Sequence, residues 1–248
     1  MSAWLDRFRA MISVSILGAT GRMGTLTKEL VDQDPNLKLH AALDSSSSPE
    51  HMLGADVVVD FTRPDASEGL VEFAIANDQK VLIGTSGWSE IKLAKLQKQL
   101  ATQPQAAVVV VPNFSVGSML AQRFAAEAAK FFADAEIVEA HHAGKVDSPS
   151  GTAIRTAELI QASRQVQPLI PGTGQPARGE VFAGVPIHSL RLDGVSARQE
   201  TIFGADSEQL KIAHDVISHR AYSLGILRSI EFTATATGLT IGLEQVLS

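Results

Sequence analysis

Apolar positions along the first half of the chain come in two rhythms that alternate. Ile12–Leu17 is a short apolar run ended by Gly18, which suits a buried parallel strand. Gly24–Val31 has helical spacing. Leu37–Leu43 is rich in Leu and Ala and ends at Asp44, before the polar stretch Ser45–Pro49. Val57–Phe61 is a β-branched run and predicts a strand. Pro64 suits a first helical turn, and Leu70, Phe73 and Ala74 continue that helix at 3–4 spacing. Lys80–Ile83 predicts a strand, followed by Gly84-Thr85-Ser86-Gly87. Ser89 can cap a helix whose apolar face is Leu93, Leu96 and Leu100. Val108–Val111 predicts a strand that stops at Pro112. Strands alternating with helices predict a parallel, doubly wound α/β sheet of Rossmann type.

The rhythm changes after Phe114. Val116, Leu120, Phe124, Ala128 and Phe131 predict one helix from about Ser115 to Phe132. Glu136–Ala140 predicts a strand and Ser150–Ala162 a helix. Gln167–Arg178 is rich in Pro and Gly and predicts a mobile loop. Ile187–Leu192, Val195–Phe203 and Gln209–His214 are strand-like runs joined by short turns, which predicts an antiparallel meander. Leu224–Ala236 is helical in pattern, and Leu239–Leu243 predicts a short strand. The second half is thus a smaller α+β domain with a mixed or antiparallel open sheet. Met1–Ala10 fits no later pattern; a short helix or a loose extension is expected there, and Met11 is an alternative start.

Composition narrows the function class. The 248 residues carry 21 Lys and Arg against 27 Asp and Glu, a net charge of −6, which disfavours binding by phosphate neutralisation. An apolar share of 45% is too high for a disordered chain. No run approaches the roughly 18 apolar residues of a membrane span, and the charged start lacks the apolar core of a secretory signal. The expected setting is therefore cytoplasmic, with neither nucleic acid nor membrane as partner. The absence of cysteine removes disulfides, thiolate metal sites and every thioester-forming dehydrogenase.

Gly18-Ala19-Thr20-Gly21-Arg22-Met23-Gly24 lies between the first strand and the first helix. Glycines there permit a tight turn and a close approach of backbone to pyrophosphate, whose charge is met by the N–H groups opening the helix. Asp44, twenty residues beyond Gly24 at the end of the second strand, is placed to accept hydrogen bonds from an adenosine ribose. A dinucleotide is the expected cofactor. Short-chain dehydrogenases share the G-x-x-G-x-x-G spacing but need a Tyr-x-x-x-Lys pair. The single tyrosine, Tyr222, has Ile226 four residues on, so that family is excluded. Asp44 should repel the 2′-phosphate of NADP and Arg22 should attract it. NADH and NADPH are both expected to serve, in an order the residues leave open. The loops after the third, fourth and fifth strands, among them Gly84–Gly87 and Pro112-Asn113-Phe114, are the other expected cofactor contacts.

The densest polar segment runs from Glu139 through His141, His142, Lys145 and Asp147 to Ser150, Gly151 and Thr152. Its end opens a helix, where orphan N–H groups favour an anion, and Lys145 and the histidines bring cationic or proton-donating groups to the same place. A small carboxylate is the matching substrate. In isolation the same residues also describe surface histidines beside a capped helix; the dinucleotide signature upstream favours the functional reading. Adjacent histidines on an extended segment point to opposite sides and chelate poorly, so no metal is expected.

These motifs resemble the 4-hydroxy-tetrahydrodipicolinate reductase family, formerly called dihydrodipicolinate reductases, of lysine and diaminopimelate biosynthesis. The segment His141-His142…Lys145-Val146-Asp147-Ser148-Pro149-Ser150-Gly151-Thr152-Ala153 is similar to the family's H-H-x-x-K-x-D-A-P-S-G-T-A. G-R-M-G, G-T-S-G at Gly84 and P-N-F-S at Pro112 match as well, and the likeness runs from Met11 to the C-terminus. Gly144 and Ser148 depart from residues that are often His and Ala. The resemblance implies His141 and Lys145 as the catalytic pair, with Lys145 the proton donor. It implies His142, Gly151 and Thr152 as carboxylate-binding positions, with Ser150 at the same helix entrance. It implies the glycine loop, Asp44, Gly84–Ser86 and Val111–Phe114 as cofactor contacts. It also implies that residues 1–114 and 224–248 form the dinucleotide domain, that 115–223 bind substrate and oligomerise, and that the assembly is a homotetramer. Another two-domain reductase, or a redox sensor that binds NAD(P)H without turnover, are the competing readings.

Overall fold

The computed structural model describes residues 11–166 and 174–248. The expected extension at Met1–Ala10, and residues 167–173 of the expected loop, lie outside the described residues. Contacts divide the chain into two units, one of residues up to Phe114 together with Tyr222–Ser248, the other Ser115–Ala221.

The first unit is a six-stranded parallel sheet with helices. In chain order it holds β1 (Ile12–Leu17), α1 (Arg22–Gln33), β2 (Leu37–Leu43), β3 (Val57–Asp60), α2 (Pro64–Ala76), β4 (Lys80–Ile83), α3 (Glu90–Leu100) and β5 (Ala107–Val110). The second unit then contributes α4 (Val116–Ala128), β6 (Asp134–His141), α5 (Gly151–Ser163), β7 (Glu180–Phe182), β8 (Val185–Arg191), β9 (Ala197–Ala205) and β10 (Glu208–Val216). The chain finally returns to the first unit as α6 (Ser223–Thr235), β11 (Gly238–Ile241) and α7 (Leu243–Leu247).

The strand order of the first sheet is β11-β5-β4-β3-β1-β2. The chain moves outward from β1 to β2 and then crosses back to β3, so a topological switch lies between β1 and β3. Val57, Val58, Val59, Val81, Leu82, Val108 and Val109 are fully buried, as a sheet covered on both faces requires. Each such side chain contributes about 1.5–3 kcal/mol of burial. The returning segment is packed closely: a Cβ on Gly225 of α6 would lie 2.0 Å from the Phe114 carbonyl oxygen, so only glycine fits.

Two expectations for this unit shift. Helix α1 begins at Arg22 rather than Gly24, because the glycine turn is tight enough for Gly24 to sit inside the first helical turn. The strand expected to run to Leu243 ends at Ile241, and the short helix α7 follows. A 3-10 turn at Pro49–Met52, buried through Met52, was not anticipated.

The second sheet has order β10-β9-β6-β8-β7. The expected meander holds for β9 and β10, which pair antiparallel, but not for β8 and β9, because β6 lies between them, parallel to β8 and antiparallel to β9. Short turns between strands constrain sequence distance and leave open whether a third strand is inserted. The core on one face joins Ala135, Ile137, Ile187 and Phe203 to Ala125, Ala128, Ala153, Ala157 and Ile160 of α4 and α5. On the opposite face β6 pairs Val138 with His188 and Ala140 with Leu190.

Helix α4 leaves much of the stripe marked by its large side chains exposed. Leu120, Phe124 and Phe131 are 37%, 54% and 84% exposed, and the buried residues are Ser118, Ala125 and Ala128. The helix also stops at Ala128 rather than Phe132. Both stripes have helical spacing, and the smaller residues won because α4 packs closely on α5 and the sheet.

Candidate active site

In the first unit, β1 ends directly in the glycine turn. Gly18 has φ +73°, and a Cβ there would lie 2.6 Å from the Phe61 carbonyl oxygen at the end of β3. Glycine is therefore required both by conformation and by the neighbouring loop. A Cβ on Gly24 would lie 2.2 Å from the Gly18 oxygen. The N–H of Gly21 donates to Gly18 O at 3.0 Å and that of Ala19 to Leu43 O at 3.0 Å, fastening the turn to itself and to β2. The start of α1 has no side-chain cap and no acidic residue in its first turn. A fastened glycine cradle opening onto an uncapped helix N-terminus fits a pyrophosphate.

Asp44 is exposed at the end of β2. Its Oδ1 accepts from Ser46 N at 2.9 Å, Ser46 Oγ at 2.7 Å and Ser47 Oγ at 3.1 Å. The Ser46 hydroxyl, the Ser46 N–H and the Ser47 hydroxyl hold its carboxyl below the ordinary aspartate range, so it is an anion at neutral pH. Gly84 follows β4, and a Cβ there would meet the rings of Phe61 at 2.2 Å and Phe114 at 2.8 Å. Buried Asp60 joins these loops: it accepts from Thr62 N at 2.9 Å and from the Ser67 hydroxyl, and its carbonyl receives Gly84 N–H at 2.9 Å. Thr85 is buried and its hydroxyl donates to the carbonyl of Thr62 at 3.2 Å. Asn113 is half-buried, Phe114 and Val111 are buried, and Ser86 and Pro112 are exposed.

In the second unit, Ala135, Ile137, Glu139 and His141 alternate along β6 toward the helix-covered side. Two apolar positions are thus followed by two polar ones on the same face. The Glu139 side chain is fully buried. Arg191, at the end of the neighbouring β8, donates to Glu139 Oε2 from one nitrogen and to Oε1 from another, both at 2.9 Å. Ser150 N–H donates to Oε1 at 3.3 Å, and His141 Nδ1 lies 2.6 Å from Oε2. Burial works to raise the Glu139 pKa, but Arg191, the Ser189 hydroxyl and His141 outweigh it and hold the carboxyl below its usual value. Burial lowers the His141 pKa; Glu139 opposes that shift, and the charges of Lys145 and Arg191 add to it.

Lys145 directly follows the turn at Ala143-Gly144, and its Nζ donates to both Asp147 oxygens at 2.7 and 2.8 Å. These bonds, with the charge behind them, depress the Asp147 pKa. Arg191 also donates to the Asp147 carbonyl at 2.6 Å, which ties the loop carrying Lys145 back to the sheet. Ser150 caps α5, its hydroxyl accepting from Ala153 N–H at 3.2 Å. Gly151 opens the helix, and nothing lies within 4 Å of where its Cβ would be. Thr152 is half-buried and His142 exposed.

His141, Lys145, Ser150, Gly151 and Thr152 thus share one end of the second sheet. Two residues that hold this group together, Glu139 and Arg191, were not singled out from sequence as site residues. The available signal was a glutamate in phase with the apolar face of a strand, since a buried carboxylate requires a partner. Among the described residues no group of three His, Asp or Glu side chains is placed to hold a metal.

A doubly wound sheet with a glycine cradle, joined to a unit that carries a cationic acid–base group at a helix N-terminus, is the build of a dinucleotide-dependent reductase. The chain belongs to the dihydrodipicolinate reductase family: the family's N-terminal model matches residues 12–114 and its C-terminal model residues 117–247. The 4-hydroxy-tetrahydrodipicolinate reductase of Clavibacter michiganensis subsp. michiganensis is 46% identical over 237 residues, 95% of this chain and 86% of that one. The enzyme of the same name from Cutibacterium acnes is 42% identical over 243 residues, covering 96% and 99%. A solved dipicolinate-bound dihydrodipicolinate reductase from Paenisporosarcina sp. TG-14 is 31% identical, with a TM-score of 0.81 and coverage of 95% and 99%.

Proposed function

We propose that the chain is an NAD(P)H-dependent reductase of 4-hydroxy-tetrahydrodipicolinate, acting through dihydrodipicolinate to give tetrahydrodipicolinate for lysine and diaminopimelate synthesis. The observation that carries this is the assembly of His141 and the N-terminus of α5 around buried Glu139, with Lys145 in the loop between them, within a chain that matches the family along both units. The first unit binds the nucleotide. Its glycine turn and the start of α1 take the pyrophosphate, Asp44 the adenosine ribose, and Gly84–Ser86 with Val111–Phe114 the nicotinamide end. The bound nucleotide supplies a hydride. NADH and NADPH both serve, and Asp44 weighs against the latter.

The second unit binds the dicarboxylate. The N–H groups of Gly151 and Thr152, the Thr152 hydroxyl, Ser150 and His142 receive a carboxylate, favoured by the positive end of α5. Lys145 is cationic and supplies the proton that neutralises charge developing on the ring nitrogen, with His141 beside it. The Asp147 carboxylate that holds Lys145 is 61% exposed, so the pair is worth only about 0–1 kcal/mol and releases the ammonium readily. The enzyme works in the cytoplasm as a homotetramer. Leu190, 48% exposed, lies on the sheet face opposite α4 and α5, which supports assembly through that face. NADH oxidation dependent on the dicarboxylate, with substrate made in place by the preceding synthase, tests the activity. Tight NADH binding without turnover would instead mark a sensor, and turnover with other carbonyl substrates a different reductase.

A further inference from the structure

We infer that Glu139, clamped by Arg191, is a positioning residue that keeps the His141 ring proton on Nδ1 and leaves Nε2 as a lone pair. This rests on His141 being part of the catalytic group, and it adds what sets that residue's chemistry.

The argument is a count of donors and acceptors. Glu139 is fully buried on the face of β6 that Ile137 shares with the core. Its Oε1 accepts from Arg191 and from Ser150 N–H, and its Oε2 from Arg191 and from the imidazole. A carboxylate carrying two guanidinium bonds and one amide bond is an anion and offers no proton. The 2.6 Å contact to Nδ1 therefore has its hydrogen on the ring. A neutral imidazole with the proton on Nδ1 has its lone pair on Nε2. The charged groups around the ring are Glu139 on its own strand, Arg191 on β8, and Lys145 with Asp147 in the following loop. Burial keeps the ring neutral at lower pH than an exposed histidine.

The consequence is a division of labour. A neutral His141 in this tautomer accepts through Nε2 and cannot donate there. The proton delivered to product then leaves Lys145 Nζ, and the resulting amine is reprotonated from solvent. Arg191 serves the same end twice, because it also fixes the Asp147 backbone and with it the loop of Lys145.

Glu139→Gln separates this from a merely structural role. The amide oxygen settles at the Oε1 position, where it keeps one Arg191 bond and the Ser150 N–H, and the Arg191 nitrogen that donated to Oε2 loses its acceptor. The amide NH₂ then faces His141 and forces its proton to Nε2. The probe is ¹⁵N-histidine NMR of the full-length chain, with the His141 signals assigned by their loss in His141→Gln. The wild type should show the Nδ1–H pattern. Glu139→Gln should show the Nε2–H pattern, with kcat lower by about 10²-fold and dicarboxylate KM little changed. A wild-type ring protonated on Nε2, or a Glu139→Gln enzyme with unchanged tautomer and kcat, overturns the assignment. If Glu139→Gln does not fold, the wild-type spectrum still decides. Arg191→Lys, which removes the two-pronged clamp, should shift the same resonances. Absence of dicarboxylate-dependent turnover in the wild type would refute the proposed activity, while the spectrum would still judge the clamp.

Discussion

Replacing Gly24 by alanine adds one methyl group at the most crowded point of the glycine turn. Its carbon would lie 2.2 Å from the Gly18 carbonyl oxygen and 2.7 Å from the Ala19 Cα. An ordinary C···O contact is about 3.3–3.6 Å, so the start of α1 and the turn must separate by about 1 Å. Both obstructing atoms are backbone, and the turn is fastened to β2 through Ala19 N–H, so no side chain can rotate away. Overpacking of this kind costs about 1–3 kcal/mol of stability. It also moves the first-turn N–H groups off a bound phosphate. A hydrogen bond to a charged group is worth about 1.5–3 kcal/mol, so NADH affinity should fall about 10- to 100-fold. Calorimetric titration with NADH, alongside a thermal melt, reads both effects. Gly21→Ala is the control, since a Cβ there meets Gly18 O at 3.3 Å and needs only a slight adjustment. A Gly24→Ala protein that binds NADH and melts like its parent would refute the steric argument. So would equal damage from both substitutions.

Gly151→Ala should leave the melting temperature unchanged, because its methyl group enters open space at a helix start, yet raise the dicarboxylate KM by occupying the proposed carboxylate position. An unchanged KM would remove Gly151 from the binding site. Asp44→Asn keeps the Oδ1 acceptor of the Ser46–Ser47 turn and removes the charge. The NADPH-to-NADH affinity ratio should rise severalfold, read by titration with each nucleotide. Burial lowers the pKa of both His141 and His214 in the folded chain, so the unfolded chain binds protons more readily. Stability should then decline as pH falls below about 6.5. It should decline further through the carboxylate range, where the depressed Glu139, Asp56 and Asp147 are protonated. Melting temperatures measured from pH 8 to 4 test this, with His214→Gln flattening the first part. A melting point that holds level between pH 7 and 5 would contradict it.

The sheet of the first unit was legible because most of its strands are short, mainly apolar runs set off by a glycine, proline or acid. Ile12–Leu17, Leu37–Leu43 and Lys80–Ile83 emerged with the bounds their patterns predicted. The glycine turn was legible because steric demands there leave one residue type. The buried face of helix α4 was not legible, because spacing reports that a stripe exists and packing distance decides which stripe is covered. The order of β6, β8 and β9 was misread for a related reason: turn length says how far the chain can travel, not what already occupies the place beside it.

The same division holds at the site. His141, Lys145, Ser150, Gly151 and Thr152 are close in sequence, so local spacing alone brought them to one strand end and one helix start. Glu139 was visible only as a charge out of place on an apolar face. Arg191 comes from a strand 52 residues away, and only pairing of β8 with β6 sets it against Glu139. Short-range chemistry was therefore determined by the sequence itself: which groups cap a helix, which turn admits only glycine, which acids and bases lie together. The tertiary structure decided which buried charge neutralises which, and with that the proton position on His141. A hydrogen bond needs two groups within about 3 Å, and for distant residues the sheet register sets that distance.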